Sequence, residues 1–377
     1  MKNLFPGNRF FLPRAPGGRP GIVLFSRTSF RRNLRGLKFP SRETGEKLDA
    51  FRKKAMSYLG GLGVFGKGVR LKFEDLDAGG RFLLAESQVI DHSAAKLEKA
   101  GLILSADGKK TVLLNGEDHF LISVLENGGD QEIAFSAASG LEELLGEKFD
   151  YAYSGEFGFL TVSPLNSGCA LELSSTLHLP GLRISGALEK SFGNLYGMNF
   201  TVSGMYGEGS FAVGDLYRVS GKNSYGKSEE GFLEFFKMSV KNLVKEEALA
   251  RAVLFRRERA RTEDMVWRAY GILHNARLLS YVELAQNVSL LRMGMEREAI
   301  PGLGKFDPDR LFFVCQKNHL QSAGRRHSLP GCAQRASPGC AQRASRHLGP
   351  QWGCSVRGMK EGELEAKRAD LARDAVK

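Results

Sequence analysis

Two acidic residues, Glu117 and Asp118, follow the apolar run at 111–114 and are separated from it only by Asn115 and Gly116. A carboxylate at the end of a strand can accept paired hydrogen bonds from a guanidinium and can take up a proton. The structural alternative is that these residues only form the turn between two strands. The pattern at 113–119 therefore makes Glu117 a candidate catalytic carboxylate.

A second candidate for chemistry is the glycine-rich stretch at 207–214, followed later by Lys227, Ser228 and Glu229. A phosphate-binding loop of the P-loop type needs the pattern Gly-x4-Gly-Lys, which this region lacks. Ser228 ahead of an apolar run is instead typical of a helix N-cap. The sequence therefore predicts a flexible loop and then a helix.

Composition gives no sign of an unusual class of protein. Of the 377 residues, 42% are hydrophobic and 25% are charged, as in ordinary globular domains. The net charge of +12 is concentrated at the ends, with a balance of +9 in residues 1–40 and +8 in residues 310–377. Basic tails of this kind bind polyanions weakly, so we do not expect a nucleic-acid partner.

Membrane, disulfide and metal classes are not indicated either. No apolar run approaches the roughly 18–20 residues that cross a bilayer, which predicts a cytoplasmic protein without a membrane segment. The five cysteines show no CxxC spacing, and an odd number without a secretory signal argues against a disulfide framework. No cluster of histidine, cysteine and acidic residues has metal-ligand spacing, so no metal site is predicted.

Strand and helix patterns alternate irregularly along the chain. Strands are predicted at 21–25, 81–85, 111–114, 120–124 and 157–162, with Asp107 and Gly108 forming a hairpin turn. Helices are predicted at 41–59, 136–145, 182–195, 229–261 and within 263–299. This mixture predicts an α+β fold rather than a βαβ series.

The chain is expected to divide into four segments: a basic irregular arm at 1–20, a catalytic domain at 21–250, a helical C-terminal region at 251–321 and an irregular tail at 322–377. In the tail, residues 330–337 repeat as residues 338–345. One tandem copy is too short for a stacked repeat architecture. The tail is therefore predicted to be disordered, and its end could be frame-shifted.

A series of short blocks, in order from about 21 to 321, resembles the bacterial protein-arginine kinases of the ATP:guanidino phosphotransferase (phosphagen kinase) family. The blocks lie at 22–27, 32–34, 115–119, 149–153, 157–161, 164–168, 177–180, 206–210, 226–230, 266–273 and 275–277. The resemblance implies a large, mainly antiparallel sheet flanked by helices, followed by a helical C-terminal region used in dimerisation. It also implies transfer of the γ-phosphate of ATP, bound with Mg²⁺, to arginine side chains of proteins handled by a protease–unfoldase system.

The resemblance carries over to individual residues. It implies that Glu117 and Glu208 are the carboxylates that grip and deprotonate the substrate guanidinium. It implies nucleotide-binding roles for Ser26, Arg27, Asn166, Gly168 and Gly207.

Several family positions are altered in this chain. Of five arginines that hold phosphates in the family, only Arg27 is present, and the other four positions are Ser29, Leu121, Glu172 and Ser203. A nucleotide-contacting histidine of the family falls on Gln88. Arg31, Arg32 and Lys222 are candidates for substitute cations. We expect the four altered positions to converge on one cleft beside Arg27, with Glu117 and Glu208 at its far end.

The activity expected from this pattern is weak or lost. Hydrogen bonds to charged groups contribute about 1.5–3 kcal/mol each, so the loss of four guanidiniums should weaken phosphate binding by orders of magnitude. The alternative is a catalytically dead pseudokinase that acts as an adaptor for a protease–unfoldase system. A third possibility is a decayed gene product, although the two retained carboxylates argue against it.

Overall fold

The computed structural model describes residues 21–207, 209–222, 228–301, 303, 306–327 and 359–376, with only the backbone described at 323–327. The predicted arm at 1–20, the repeat at 330–345 and Glu208 lie outside the described residues.

Within the described residues, one antiparallel sheet of eight strands forms the centre of the fold, in the order β2-β3-β4-β5-β1-β8-β10-β9. The longest strand, β1, pairs with β5 on one side and β8 on the other. Two short strands, β6 and β7, form a separate hairpin. The strands are β1 (Val23–Arg32), β2 (Val69–Lys72), β3 (Gly101–Leu104), β4 (Lys110–Leu114), β5 (Phe120–Asn127), β6 (Tyr153–Ser154), β7 (Gly158–Phe159), β8 (Leu171–His178), β9 (Thr201–Gly204) and β10 (Leu216–Gly221).

Helices cover both faces of this sheet, which confirms the predicted α+β class. They are α1 (Gly45–Gly61), α2 (Ala78–Glu86), α3 (Gln131–Gly146), α4 (Pro180–Ile184), α5 (Leu188–Gly197), α6 (Glu229–Arg257), α7 (Arg259–Asn275), α8 (Tyr281–Met295), α9 (Pro308–Val314), α10 (Lys317–His327) and α11 (Glu361–Ala375).

The rear face of the sheet carries the main core. Side chains of alternate strand residues, such as Phe30, Phe120 and Leu173, are buried there against α1, α3 and α6. Because side chains alternate across a strand, the intervening residues of β1, β5 and β8 face the other side. We call that other side the cleft face.

A second core lies where the C-terminal helices meet one end of the cleft face. Phe25, Leu125 and Leu216 of the sheet pack there with residues of α7, α8, α9 and α11. At the other end of the cleft face, α2 and the segment after it cover Leu102 and Leu113. The central strands between these two covers are left for the candidate site.

Two predictions of local structure need correction. Residues 81–85 are not a strand but part of α2, where Asp77 caps the helix by accepting from the Gly80 amide at 2.7 Å. The helix predicted at 182–195 is divided into α4 and α5 at Gly186, whose φ is +72°. The helical periodicity predicted within 263–299 is confirmed, since α7 and α8 cover most of that stretch.

The predicted tail also needs correction. Residues 359–376 are not irregular, because α11 buries Leu364, Ala369 and Ala372 in the second core. The predicted domain boundary at 250 falls inside α6, which continues to Arg257.

Candidate active site

Strand β1 supplies three side chains to the cleft face. Arg27, Ser29 and Arg31 alternate with Ser26 and the other rear-facing residues. Ser29 lies in the cleft with its hydroxyl 2.8 Å from that of Ser123 on β5. The Ser26 hydroxyl instead donates to the Gly128 carbonyl at 3.0 Å, on the rear face. The structure therefore brings the side chain of Arg27, but not that of Ser26, to the cleft.

The strand register places the altered family positions on the cleft face of the sheet. Ser29 lies directly opposite Glu172 of β8, and Arg31 lies opposite Leu121 of β5. Ser203 of β9 lies opposite Arg218 of β10. Since directly paired residues share a face of the sheet, Ser29, Leu121, Glu172 and Ser203 all lie on the cleft face, and Leu121 packs there against the core that α2 covers.

At one end of the cleft, two arginines share one carboxylate. Asp91, from the segment after α2, accepts from the Arg218 guanidinium at 2.5 Å and lies 3.5 Å from that of Arg27. The Arg27 guanidinium also donates to the carbonyl of Gln88. The arginine side chains are buried, whereas that of Asp91 is 30% exposed.

In the middle of the cleft, Glu172 joins two arginines. Its carboxylate accepts from Arg31 at 3.0 Å and lies 3.5 Å from the Arg218 guanidinium. Burial favours the neutral acid, but the charges of Arg31, Arg218 and Lys222 outweigh it and hold the pKa of Glu172 below its usual range. Glu172 is thus a buried anion between two cations. The charges of Arg31 and Arg218 offset the repulsion that Glu172 would exert on a polyphosphate.

The pKa values of the other members follow the same balance. Burial alone would raise the pKa of Asp91, but Arg218 and Arg27 hold it well below its ordinary value. Burial and the neighbouring charge of Arg218 lower the pKa of Arg27 to about 10. At neutral pH all of these groups therefore carry their charges.

At the far end of the cleft lie the two acids of the turn after β4. Glu117, with a side chain 50% exposed, lies 3.4 Å from the Arg31 guanidinium. Asp118 is buried and accepts from the Asn33 amide at 2.6 Å and from the Val162 backbone amide at 2.9 Å. Asp118 thus ties the turn to the loop after β7, while Glu117 lies half exposed beside Arg31.

Two glycine-containing loops border the cleft. A Cβ at Gly207, where φ is +99°, would lie 3.4 Å from the Arg218 guanidinium and 3.6 Å from the Asp91 carboxyl carbon. Gly207 therefore adjoins the Arg218–Asp91 pair. The role predicted for Glu208, the next residue, cannot be placed because it lies outside the described residues.

The other loop holds Asn166 and Gly168. Asn166 ends a 3-10 turn and is largely buried, and the Gly168 amide donates to the Phe157 carbonyl at 2.9 Å. The structure places this loop beside the Asp118 end of the cleft through Val162. No side-chain contact of Asn166 or Gly168 with the arginine cluster is seen among the described residues.

Gln88 lies at the base of the cleft with an unusual backbone. Its φ is +59°, and its buried side-chain Nε2 atom finds no hydrogen-bond partner in the described part of the chain. Unpaired buried donors are rare in folded proteins. At the position where the family has a nucleotide-contacting histidine, this chain therefore has a buried side-chain donor without a partner among the described residues and a backbone carbonyl that binds Arg27.

Sequence reasoning missed two members of the cleft, Arg218 and Asp91. Of the three candidate substitutes, Arg31 is in the cleft. Arg32 is not, because it lies on the rear face, 2.7 Å from Glu142 and over the ring of Phe159. The alternation of Arg27, Ser29 and Arg31 was a usable signal for Arg31, but nothing near Arg218 in the sequence indicated its position.

The described residues contain no group of three or more histidine, cysteine or acidic side chains placed to hold a metal ion. Among the helices that the structure describes, none combines the length and apolar character needed to cross a bilayer.

The fold is similar to solved structures of a lombricine kinase and a taurocyamine kinase. Lombricine kinase matches with a TM-score of 0.53 at 21% identity, over 66% of this chain and 74% of that one. The duplicated taurocyamine kinase from Schistosoma mansoni, with bound components of a transition state analogue, matches with a TM-score of 0.55 at 19% identity. That match covers 64% of this chain and 36% of the duplicated chain.

Sequence comparison gives the family. Residues 51–250 match the family described as ATP:guanido phosphotransferase, C-terminal catalytic domain, and residues 259–332 match the protein-arginine kinase McsB C-terminal domain. The protein-arginine kinase of Shouchella clausii is 30% identical over 308 residues, 81% of this chain and 86% of that protein. That of Bacillus subtilis is 30% identical over 310 residues, 81% of this chain and 85% of that protein. The chain therefore belongs to the protein-arginine kinase family of ATP:guanido phosphotransferases.

Proposed function

We propose that this chain transfers the γ-phosphate of MgATP to arginine side chains of protein substrates, at a lower rate than a member with all five family arginines. The observation that carries this proposal is the arrangement of the cleft. Three buried guanidiniums, those of Arg27, Arg31 and Arg218, lie at one end and in the middle. The half-exposed carboxylate of Glu117 lies at the other end.

The proposed reaction is an in-line displacement. One guanidinium nitrogen of the substrate arginine attacks the γ-phosphorus, and an N–P bond forms. The bond from that phosphorus to the oxygen bridging the β- and γ-phosphates breaks, and MgADP leaves. The proton released from the nitrogen passes to a carboxylate and then to water. A guanidinium is a poor nucleophile because its charge is delocalised, so alignment and proton removal are the main demands on the protein.

The cleft residues suit these demands in different ways. Glu117 is exposed enough to accept a substrate guanidinium, and Arg31 at 3.4 Å would stabilise the charge developing on the γ-phosphate. Arg27 would hold phosphate oxygens, as its family position implies, and Glu208 would be the second carboxylate on the substrate. The resulting site would accept protein arginines as phosphoryl acceptors.

Detection of phosphoarginine tests this proposal. The full chain is incubated with MgATP and an arginine-rich unfolded protein, and phosphoarginine is measured by mass spectrometry under conditions that preserve N–P bonds. We expect slow formation that is abolished in Glu117→Gln. The control is Glu143→Gln, an exposed acid on α3, which should retain the native rate. Equal formation in both variants would refute the role of Glu117.

The second candidate function is a pseudokinase adaptor for a protease–unfoldase system, and one observation favours it. Asp91 and Glu172 already neutralise most of the charge of the three arginines, so the cleft is satisfied without a nucleotide. As an adaptor, the chain would act in the cytoplasm. It would form a homodimer through the C-terminal helices, where Trp267 and Ile272 of α7 are exposed. Bound MgATP without any phosphoarginine product would favour this alternative.

A further inference from the structure

We infer that Arg31 and Arg218 bind the nucleotide phosphates in this chain. Each would take over the role of a family arginine that this chain lacks on the neighbouring strand. Arg31 would act in place of the arginine missing at Leu121, and Arg218 in place of the one missing at Ser203. This inference rests on the proposed function for the identity of the anion, a nucleotide polyphosphate. It concerns two residues that the family resemblance does not assign.

The register of the sheet is the first support for the inference. Arg31 of β1 is paired with Leu121 of β5, and Arg218 of β10 is paired with Ser203 of β9. Leu121 and Ser203 are two of the four positions where the family carries a phosphate-binding arginine. Opposed residues have their Cα atoms about 4.5–5.5 Å apart, which is less than the reach of an arginine side chain. A guanidinium carried on the opposite strand can therefore reach the same part of the cleft.

The position of these two arginines on the cleft face is the second support. Arg31 and Arg218 have side chains 12% and 5% exposed and lie on a cleft face, not at the protein surface. Burying a charge is costly unless it is paired, and replacing a buried ion pair by apolar residues is often neutral or stabilising. Buried and paired arginines such as Arg251 and Arg292 also lie outside the cleft, so burial alone assigns no role. Arg31 and Arg218 differ from them because they lie on the cleft face beside the partly exposed carboxylates of Glu117 and Asp91.

The partners of Arg218 show how a phosphate would enter. Asp91 lies 2.5 Å from the Arg218 guanidinium and 3.5 Å from that of Arg27, and 30% of its side chain is exposed. Its carboxylate therefore bridges two guanidiniums at an accessible point of the cleft, as a phosphate oxygen pair would. A nucleotide would take the place of Asp91 between the two arginines, while Glu172 stays buried between Arg218 and Arg31.

Exchanging the arginines across the strands tests the inference. MgATP binding to the full chain is measured by calorimetry for two single variants, Arg218→Ser and Arg31→Leu. It is also measured for two double variants that move the arginine to the opposite strand. These are Arg218→Ser with Ser203→Arg, and Arg31→Leu with Leu121→Arg. The control is Arg52→Ser, which removes an arginine that is equally buried but is paired with Glu74 outside the cleft. Thermal unfolding followed by circular dichroism is recorded for each variant, because loss of a buried charge lowers stability.

We expect each single variant to bind MgATP at least about tenfold more weakly, as for loss of one charge-assisted hydrogen bond. Each exchange should restore binding to within a few-fold of the native chain, and Arg52→Ser should bind as the native chain does. A purely structural arginine would not be rescued by a guanidinium on the other strand. Unchanged binding in the single variants, or no rescue in folded exchange variants, would overturn the inference.

Two further outcomes separate the inference from the proposed function. If the exchanges behave as expected but no phosphoarginine forms, the proposed function is wrong and the phosphate-binding role stands. If phosphoarginine forms at rates insensitive to both arginines, the proposed function stands and the inference is wrong. No MgATP binding by either the native chain or Asp91→Asn would overturn the inference directly.

Discussion

Replacing Asp91 by asparagine should tighten MgATP binding. The Asp91 carboxylate holds Arg27 and Arg218 at 3.5 and 2.5 Å, so an incoming phosphate must displace it or share the guanidiniums with it. Two unit charges roughly 5 Å apart repel by about 3 kcal/mol at an effective dielectric constant of 20, and by about 1 kcal/mol in water. Because 30% of the Asp91 side chain is exposed, the gain should lie between these limits, about five- to a hundredfold in affinity.

The assay is calorimetric titration of MgATP into native chain and Asp91→Asn at two salt concentrations. The gain should shrink at high salt, because ions screen partly exposed charges. Glu74→Gln is the matched control, since Glu74 is a partly exposed acid that is paired with Arg52 outside the cleft. Asp91→Asn should also unfold at a lower temperature, because it leaves two close guanidiniums without their shared anion. Unchanged or weaker MgATP binding in folded Asp91→Asn would refute the view that this carboxylate occupies a phosphate position.

Further predictions concern the stability of the cleft and its loops. Burial opposes ionisation of Asp91 and Glu172, but the arginines hold both pKa values below their usual range. The stability that they contribute is therefore complete above about pH 5 and is lost as the pH falls further. The melting temperature of the native chain should fall more steeply between about pH 5 and 3 than that of Asp91→Asn/Glu172→Gln, and equal slopes would contradict this. Glu172→Gln and Glu172→Arg both remove a buried anion, which costs about 3–5 kcal/mol. Glu172→Arg should melt lower still, because it adds a third guanidinium beside those of Arg31 and Arg218; similar melting temperatures would contradict the arrangement. Gly158→Ala should destabilise the chain more than Gly128→Ala. Both glycines have positive φ, but only at Gly158 would a Cβ clash, at 2.5 Å from the Gly168 carbonyl oxygen. Equal losses of stability in urea unfolding would argue against this loop packing.

Much of the sheet could be predicted because its local signals agree. The strands near 111–114 and 120–124 are short apolar runs separated by turn residues, and Asp107 with Gly108, whose φ is +77°, forms the predicted turn. The error at 81–85 arose because a short apolar run fits a strand or a buried helix equally well. The Asp77 cap that begins α2 was the signal that could have decided it.

The cleft could be predicted only in part, because its members meet through long-range pairing. Arg27, Arg31 and Glu117 stand out in the sequence by spacing or resemblance. Arg218 becomes significant only when the register places it opposite Ser203 and within reach of Glu172. Asp91 comes from the connection between α2 and β3, whose path over the sheet no local pattern reveals.

Equilibrium binding of MgATP to the native full-length chain tests most directly whether the cleft is still a nucleotide site. Saturable binding, weakened by salt and by Arg218→Ser but not by Arg52→Ser, is the result that the three buried arginines predict. If binding does not saturate up to about 10 mM MgATP, the binding free energy is weaker than about 3 kcal/mol. That result would mean that Asp91 and Glu172 keep nucleotide phosphates out of the cleft. The assignment of a phosphotransfer function would then be contradicted.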